Sequence, residues 1–326
     1  MNHIDITPDI TRAIDAPLAE HGLVFGKFMP PTNGHLYLLD FARRSCRRLT
    51  IVVLTLAGEP IPGHLRYEWI RELYPDCTVV HHDHDMPQEP QNPHDIPFYH
   101  AWRDTLRKHC PQDDFDALFA SESYGYQVAW ALGVRFIPVD TARGAVQISG
   151  TAMRSDPWRY WAHLHPVIRP YFLKRVAITG GDAQTREGLA AALAAAYDTC
   201  HIADYAATFC ADLARNIAGW SAADLTAQDI HTIARGQKAS MDALARQANR
   251  VIFSATTLRE IQNMSQARFG RAPDWLAAAA AAEKYDIVLS LDENGGTNGS
   301  LRLKAPTIDA ARKALHGHLP PLPDAV

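Results

Sequence analysis

Apolar and polar positions alternate between two signatures along most of the chain. Short, nearly continuous apolar runs predict strands buried on both faces: Leu23 to Phe25, Leu49 to Leu56, Cys77 to His81, Ala117 to Ser121 and Val134 to Val139. Between them, stretches with helical periodicity begin near His35 and span His64 to Leu73 and Tyr99 to His109. Arg43, Arg44, Arg47 and Arg48 fall at helical spacing and read as the solvated face of the first of these. A second series starts with a strand at Arg175. Alanine-rich helices follow over Leu189 to Tyr197 and Trp275 to Lys284, with apolar strands at Arg250 and from Tyr285 to Leu291. Strand and helix in alternation predict a doubly wound, parallel α/β sheet, and 326 residues suffice for two such domains, each with its own core.

Two loops in the first series carry chemistry. From Leu23 to Leu39 the chain reads as a strand, a Gly- and Pro-rich loop and a helix. Gly26 ends the strand where a side chain would block a ligand, and Pro30 and Pro31 stiffen the loop. Gly34 and His35 stand at the helix start, whose unpaired N–H groups and partial positive charge suit a phosphate. The loop reads as a cradle for a nucleotide triphosphate. The second stretch is Ile148-Ser149-Gly150-Thr151-Ala152-Met153-Arg154. Ser149 is a natural N-cap, Thr151 lies in the first turn and Arg154 projects one turn on. Hydroxyls, backbone N–H groups and a guanidinium at a helix start make a phosphate clamp. Between the two, Ser121-Glu122-Ser123-Tyr124-Gly125 follows a strand at the end where open α/β sheets bind ligands.

Composition removes several alternatives. A net charge of −4 leaves no basic footprint for nucleic acid. The five cysteines are scattered, with no Cys-x-x-Cys pair, which fits a reducing cytosol. No apolar run approaches the roughly 20 residues that span a bilayer, and the N-terminus lacks the layout of a signal peptide, so a cytoplasmic protein is expected. Residues 1–20 read as an extension too short for a helix-turn-helix domain. His81, His82, Asp83, His84 and Asp85 resemble a metal cluster, but successive residues of an extended segment face opposite sides and cannot all converge. That stretch reads as a polar loop at a strand end, followed by a Pro-rich loop from Met86 to Pro97. His201, near Cys200 and Cys210, lacks a fourth ligand. No protein metal site is expected.

The first loop resembles the (His/Thr)-x-Gly-His signature of the nucleotidyltransferase superfamily, preceded by Gly-(Lys/Arg)-Phe-x-Pro. Gly26, Lys27, Phe28, Pro30, Thr32, Gly34 and His35 fit it. The second resembles the superfamily's Ile-Ser-x-Thr-x-x-Arg motif. Gly58-Glu59-Pro60-Ile61-Pro62-Gly63-His64-Leu65-Arg66, Trp69 to Glu72, Ala101-Trp102, the Ser121 to Gly125 stretch and Arg154 to Trp161 narrow the likeness. They resemble the NadR-type family, which joins a nicotinamide-mononucleotide (NMN) adenylyltransferase to a ribosylnicotinamide kinase. The resemblance covers most of Leu23 to Phe172. It implies a Rossmann-like nucleotidyltransferase domain over residues 21–172 and a P-loop-NTPase-like α/β domain over 173–326. The implied reaction converts ATP and NMN to NAD and pyrophosphate, with Mg²⁺ bridging the phosphates. His35, Lys27 and Arg154 would be catalytic. ATP would contact Gly26, Phe28, Met29, Thr32, Gly34, Ile148, Ser149 and Thr151. NMN would contact Trp102, Tyr124 and Arg66, although Trp102 can equally be core and Arg66 equally surface.

In that family the strand, glycine turn and helix from Arg175 to Leu189 hold the kinase P-loop, Gly-x-x-x-x-Gly-Lys-(Ser/Thr). Here Gly180 or Gly181 keeps the opening glycine, but Thr185, Arg186 and Glu187 replace the last three positions. The loop loses backbone freedom and gains negative charge where phosphate would lie. Ser254, Ala255 and Thr256 stand where the family has an acidic residue for the metal, and only Tyr205 is kept from the substrate stretch Asp204 to Ala207. Asp292 to Arg302 occupies the position of the family's lid. The expectation is a folded domain without kinase activity, which can brace its partner domain, support a homo-oligomer or bind a regulatory nucleotide. Three alternatives stand beside it: an enzyme that keeps ribosylnicotinamide kinase activity, nucleotidyl transfer to another phosphorylated acceptor, and a non-catalytic NAD or ATP sensor.

Overall fold

The computed structural model describes residues 16–87, 90–92, 94–110, 114–142, 144–145, 148–292, 300–303 and 305–319. Most of the expected N-terminal extension, the central part of the lid and the tail after Leu319 lie outside them. The chain divides between Val167 and Ile168 into two compact units.

The first unit contains β1 (Ala19–Gly26), α1 (Asn33–Ser45), β2 (Cys46–Leu54), α2 (Gly63–Leu73), β3 (Thr78–His82) and α3 (Ile96–His109). It continues with β4 (Ala117–Ala120), α4 (Gly125–Leu132), β5 (Arg135–Pro138) and α5 (Gly150–Ser155). The strands form one sheet in the order β3-β2-β1-β4-β5, every neighbouring pair parallel. A parallel sheet needs cover on both faces, and the residues divide accordingly. Val24, Ile51, Val53 and Phe119 pack with Leu39 of α1 and Ile70 of α2. Their strand neighbours Leu23, Val52, Leu54 and Leu118 pack the other way, with Tyr99 and Trp102 of α3 and Val128 of α4. This is the period-two alternation of a strand, with both of its faces apolar.

One expectation is corrected here. Arg47 and Arg48 do not continue the helix that carries Arg43 and Arg44. They belong to β2, which begins at Cys46 because Cys46 pairs with Ala19 of β1. Sheet pairing overrides helical spacing. All the same, Arg43 bonds Asp76 at 2.8 Å, Arg47 bonds Glu20 at 3.2 Å and Arg48 bonds Asp114 at 2.6 Å, all at exposed positions.

The second unit holds α6 (Arg169–Phe172), β6 (Lys174–Thr179), α7 (Ala183–Ala196), β7 (His201–Ile202), α8 (Tyr205–Asn216) and α9 (Asp229–Ala245). After these come β8 (Val251–Ser254), α10 (Leu258–Phe269), α11 (Asp274–Ala282), β9 (Ile287–Ser290), β10 (Leu301–Arg302) and α12 (Ile308–Leu315). Its sheet is also parallel, in the order β10-β9-β6-β8-β7. Val176, Ile178, Phe253 and Leu289 pack with Leu189 and Leu193 of α7 on one face. α7 starts at Ala183, six residues before the expected Leu189, because Asp182 caps it by accepting the Thr185 N–H at 2.8 Å.

α2 approaches β2 through a residue without a side chain. A Cβ on Gly63 would lie 2.6 Å from Cβ of Thr55, which is itself buried at 4 % exposure. Thr55 is β-branched and cannot swing aside. Gly63→Ala should therefore lower stability by about 1–3 kcal/mol, read as a lower urea midpoint with unchanged slope. An unchanged midpoint would show that the contact yields freely.

Candidate active site

β1 sits between β2 and β4, so the chain leaves the two flanking strands in opposite directions. Such a switch point opens a crevice at the carboxyl ends of the strands. A cavity of about 690 Å³ lies there, bordered by Phe25 and Gly26 of β1, Leu54 of β2 and Ala120 and Ser121 at the end of β4.

The first helix start forms one wall. Thr32 is the N-cap of α1, and its N–H donates to Nδ1 of His35 at 3.1 Å. The Thr32 hydroxyl lies 2.9 Å from the same nitrogen. A nitrogen that accepts a backbone N–H carries no proton, so the neutral imidazole holds its proton on Nε2. The cap thus fixes the tautomer of a side chain that lines the cavity. Phe28 adopts a positive φ of 45° and is buried, with its ring edge-on to His35 at 5.5 Å between centroids. Gly26 makes room for that ring: a Cβ there would sit 3.2 Å from it. Left-handed backbone at a non-glycine residue is strained. Here it turns the Phe28 side chain into the core beneath the loop.

The second helix start forms the facing wall. Ser149 caps α5 by accepting the Ala152 N–H at 3.1 Å. Arg154 donates to the Met29 carbonyl of the first loop at 2.5 Å and to the Thr151 hydroxyl at 3.1 Å. A Cβ on Gly150 would lie 2.9 Å from the same Met29 oxygen, so glycine allows the two loops to close. Lys27, Phe28, Met29, Thr32, Gly34 and His35 from the first motif line the cavity, as do Ile148, Ser149, Thr151 and Arg154 from the second. The two expected phosphate loops share one cavity.

Of the three expected NMN contacts, only Tyr124 lines the cavity. Arg66 is neither on a phosphate nor on the surface. It is fully buried, donating to the carbonyls of Lys27 at 2.7 Å and Leu54 at 3.1 Å and to the carboxylate of Glu59. The carboxyl ends of two parallel strands leave carbonyls that need donors, and a guanidinium supplies several. Glu59 also lies 3.6 Å from Nζ of Lys27 and so connects this buried knot to the cavity. Trp102 is also interior, at 1 % exposure. Its ring stacks on Phe25 at 5.4 Å, and its indole N–H donates to the Pro87 carbonyl at 3.0 Å. Ser121 and Glu122, from the stretch expected at the ligand-binding end of β4, line the cavity, and so does Asp140, which the sequence did not single out and whose carboxylate accepts the Gly144 N–H at 2.8 Å.

In the second unit the glycine turn after β6 is filled from within. Gly180 and Gly181 have φ of 76° and 59°. Arg186 folds back under the turn and donates to the Gly181 carbonyl at 3.0 Å, the Gly180 carbonyl at 3.2 Å and the Ala255 carbonyl at 2.8 Å. The Gly181 N–H donates to Asp292 at 2.9 Å, and the Thr185 N–H and hydroxyl go to Asp182. The hydroxyl and amide of Thr185 hold the Asp182 carboxyl below its usual range, so it stays ionised at neutral pH. Glu187, where the pattern wants a hydroxyl, bonds His201 at 2.8 Å and accepts the Asp204 N–H at 3.1 Å. Donors that would face a phosphate are thus met by carboxylates.

Residues 175–316 match a family model described as an AAA domain. Over 290 residues the chain is 26 % identical to the trifunctional NAD biosynthesis/regulator protein NadR of Escherichia coli K12, covering 84 % of this chain and 69 % of that protein. A NadR protein crystallised with NAD and AMP-PNP superimposes with a TM-score of 0.67 at 17 % identity, over 95 % of this chain and 99 % of that one. A NadR protein crystallised with NR gives 0.61 at 17 % identity, over 85 % and 80 %. Likeness at that identity speaks for the fold. Fold and site together define an α/β protein of two parallel-sheet units, the first with a cavity at its switch point and the second P-loop-like. The chain is a homologue of the NadR proteins.

The buried placement of Arg66 has a measurable consequence. Arg66→Ala would leave the Glu59 carboxylate without its guanidinium in the interior, a loss of about 3–5 kcal/mol. Urea denaturation should register that loss. A variant as stable as the parent chain would return Arg66 to a ligand-binding role.

Proposed function

We propose that the first unit transfers the adenylyl group of ATP to NMN, giving NAD and pyrophosphate. The observation that carries this reading is that His35 and Arg154, from helix starts more than a hundred residues apart in sequence, border one cavity at the switch point. The attacking phosphate of NMN is already anionic at neutral pH, so no general base is needed. The work is alignment and charge stabilisation. The Nε2–H of His35 would donate to the α-phosphate as negative charge grows on it. Lys27 would neutralise phosphate charge, its position set through Glu59 and Arg66. The Ser149 and Thr151 region and Arg154 would hold the departing pyrophosphate. A guanidinium has five N–H donors, so Arg154 can grip phosphate while keeping its bond to Met29. Mg²⁺ would arrive with the triphosphate. Among the described residues, the carboxylates lining the cavity are those of Glu122 and Asp140, fewer than an all-protein cage takes.

The second unit is proposed to lack kinase activity. Its glycine turn is tied down by Arg186, Asp182 and Asp292, and a phosphate would have to displace two carboxylates. The names of the relatives, which include NAD biosynthesis, support the choice of NMN as acceptor.

The full chain incubated with ATP, Mg²⁺ and NMN should release pyrophosphate and form NAD. Release only with another phosphorylated acceptor would overturn the choice of NMN, and no release with any acceptor would overturn the transferase. His35→Ala should lower turnover by about 10²-fold or more, with near-parental turnover removing His35 from the mechanism. Labelled γ-phosphate should not pass to nicotinamide riboside; clear transfer would mean that the altered turn still works.

A further inference from the structure

The histidine-rich end of β3 does more than form a polar loop. His81 turns away, its Nε2 3.0 Å from the Thr55 hydroxyl and its ring stacked on Tyr67. His82, the last residue of β3, turns to the opposite side, toward Trp102, and His84, just past the strand, brings its ring to the same place. There they meet His109, the last residue of α3. One ring nitrogen from each lies within 4.8 Å of the others, and the ring centroids are 4.9 to 5.5 Å apart.

Three details of hydrogen bonding point to a ligand. His82 is 2 % exposed, and its Nδ1 is buried with no hydrogen-bond partner among the described residues. Such a nitrogen is costly unless something binds it. His109 Nδ1 lies 3.0 Å from the Thr105 carbonyl, which can only accept. Nδ1 therefore carries a proton and Nε2 is the ring nitrogen left to face a ligand. His84 Nδ1 lies 3.0 Å from the Asp83 carboxylate, an acceptor again, which anchors that ring in the same way. Ring N–H groups anchored on a carbonyl and a carboxylate are the outer shell usual for metal-binding histidines.

We propose that His82, His84 and His109 bind one divalent ion of the zinc class, with water completing a tetrahedral set. Three neutral imidazoles without a carboxylate suit Zn²⁺, Co²⁺, Ni²⁺ or Cu²⁺ and not the hard, oxygen-seeking Mg²⁺. The site is thus distinct from any ion accompanying ATP, and it does not rest on the proposed reaction. Its role is structural. The ion ties the end of β3 to the end of α3. Between them runs the segment whose Pro87 carbonyl is held by Trp102 and whose Pro90 borders the cavity.

The test uses the full chain, stripped with a chelator and dialysed. Co²⁺ titration followed by its visible absorption, then Zn²⁺ titration calorimetry, should report one ion per chain. His84→Ala and His109→Ala, both on residues that retain some exposure, should each weaken Zn²⁺ binding by at least about 10–100-fold, with circular dichroism confirming that they fold. His81→Ala, on the residue that turns away, should bind as the parent does. A parent chain that develops no Co²⁺ spectrum, or His84→Ala and His109→Ala variants that bind Zn²⁺ as tightly as the parent, would overturn the site.

Discussion

A guanidinium sealed from solvent sets the floor of the cavity. Arg66 joins the carbonyl at the end of β1 to the one at the end of β2 and bonds Glu59, which in turn faces Lys27. Parallel strands that end at a crevice leave polar backbone turned toward it, and that backbone needs donors to hold it in place. A side chain with several rigid donors can hold it from below, leaving Lys27 Nζ on the open side. The arrangement depends on Gly63, which lets α2 come close enough to β2 for Arg66 to reach. Burying such a charge is expensive unless it is paired, and here Glu59 and the two strand-end carbonyls meet the two terminal nitrogens while Nε stays without a hydrogen-bond partner among the described residues.

The two units use one architectural idea in opposite ways. Each has a parallel sheet with a glycine-containing turn after a central strand. In the first, the turn leads to a helix whose cap, Thr32, and third residue, His35, satisfy one another. The imidazole lines the cavity with Nδ1 as the acceptor from the cap. In the second, the turn satisfies itself: Arg186 takes its carbonyls, Asp292 takes an N–H and Asp182 caps the helix. A loop whose donors are already matched by carboxylates attracts a phosphate weakly. The second unit keeps a well-packed core around Val176, Phe253 and Leu289. A fold of this kind tolerates changes in such a turn, because the core lies in the layers and the chemistry lies in the loops.

The histidines after β3 show how contact across the sequence changes a local reading. Alternation along extended chain correctly separates His81 from its neighbours. His82 and His84 come together at the end of the strand, and α3 ends on the side they face. Nothing in the spacing between His84 and His109 announces this, since the meeting depends on how α3 lies against the sheet.

The sequence by itself determined the layered α/β plan, the two loops that line the cavity, and the failure of the second unit's glycine turn to match a P-loop. Each of these rests on short-range chemistry: apolar runs, helix caps, and glycine at fixed offsets. The ends of elements were less legible. β2 starts at Cys46 because a partner strand recruits it, and Arg47 and Arg48 follow it into the sheet against their helical spacing. The roles of long side chains were least legible of all. Arg66 and Trp102 looked available for ligands, yet both are buried, one bonded to backbone carbonyls and the other stacked on Phe25. Residue type says what a side chain can bond. Only the tertiary structure decides which of several possible partners comes within reach, because burial and distance are properties of the packed layers and not of the local chain.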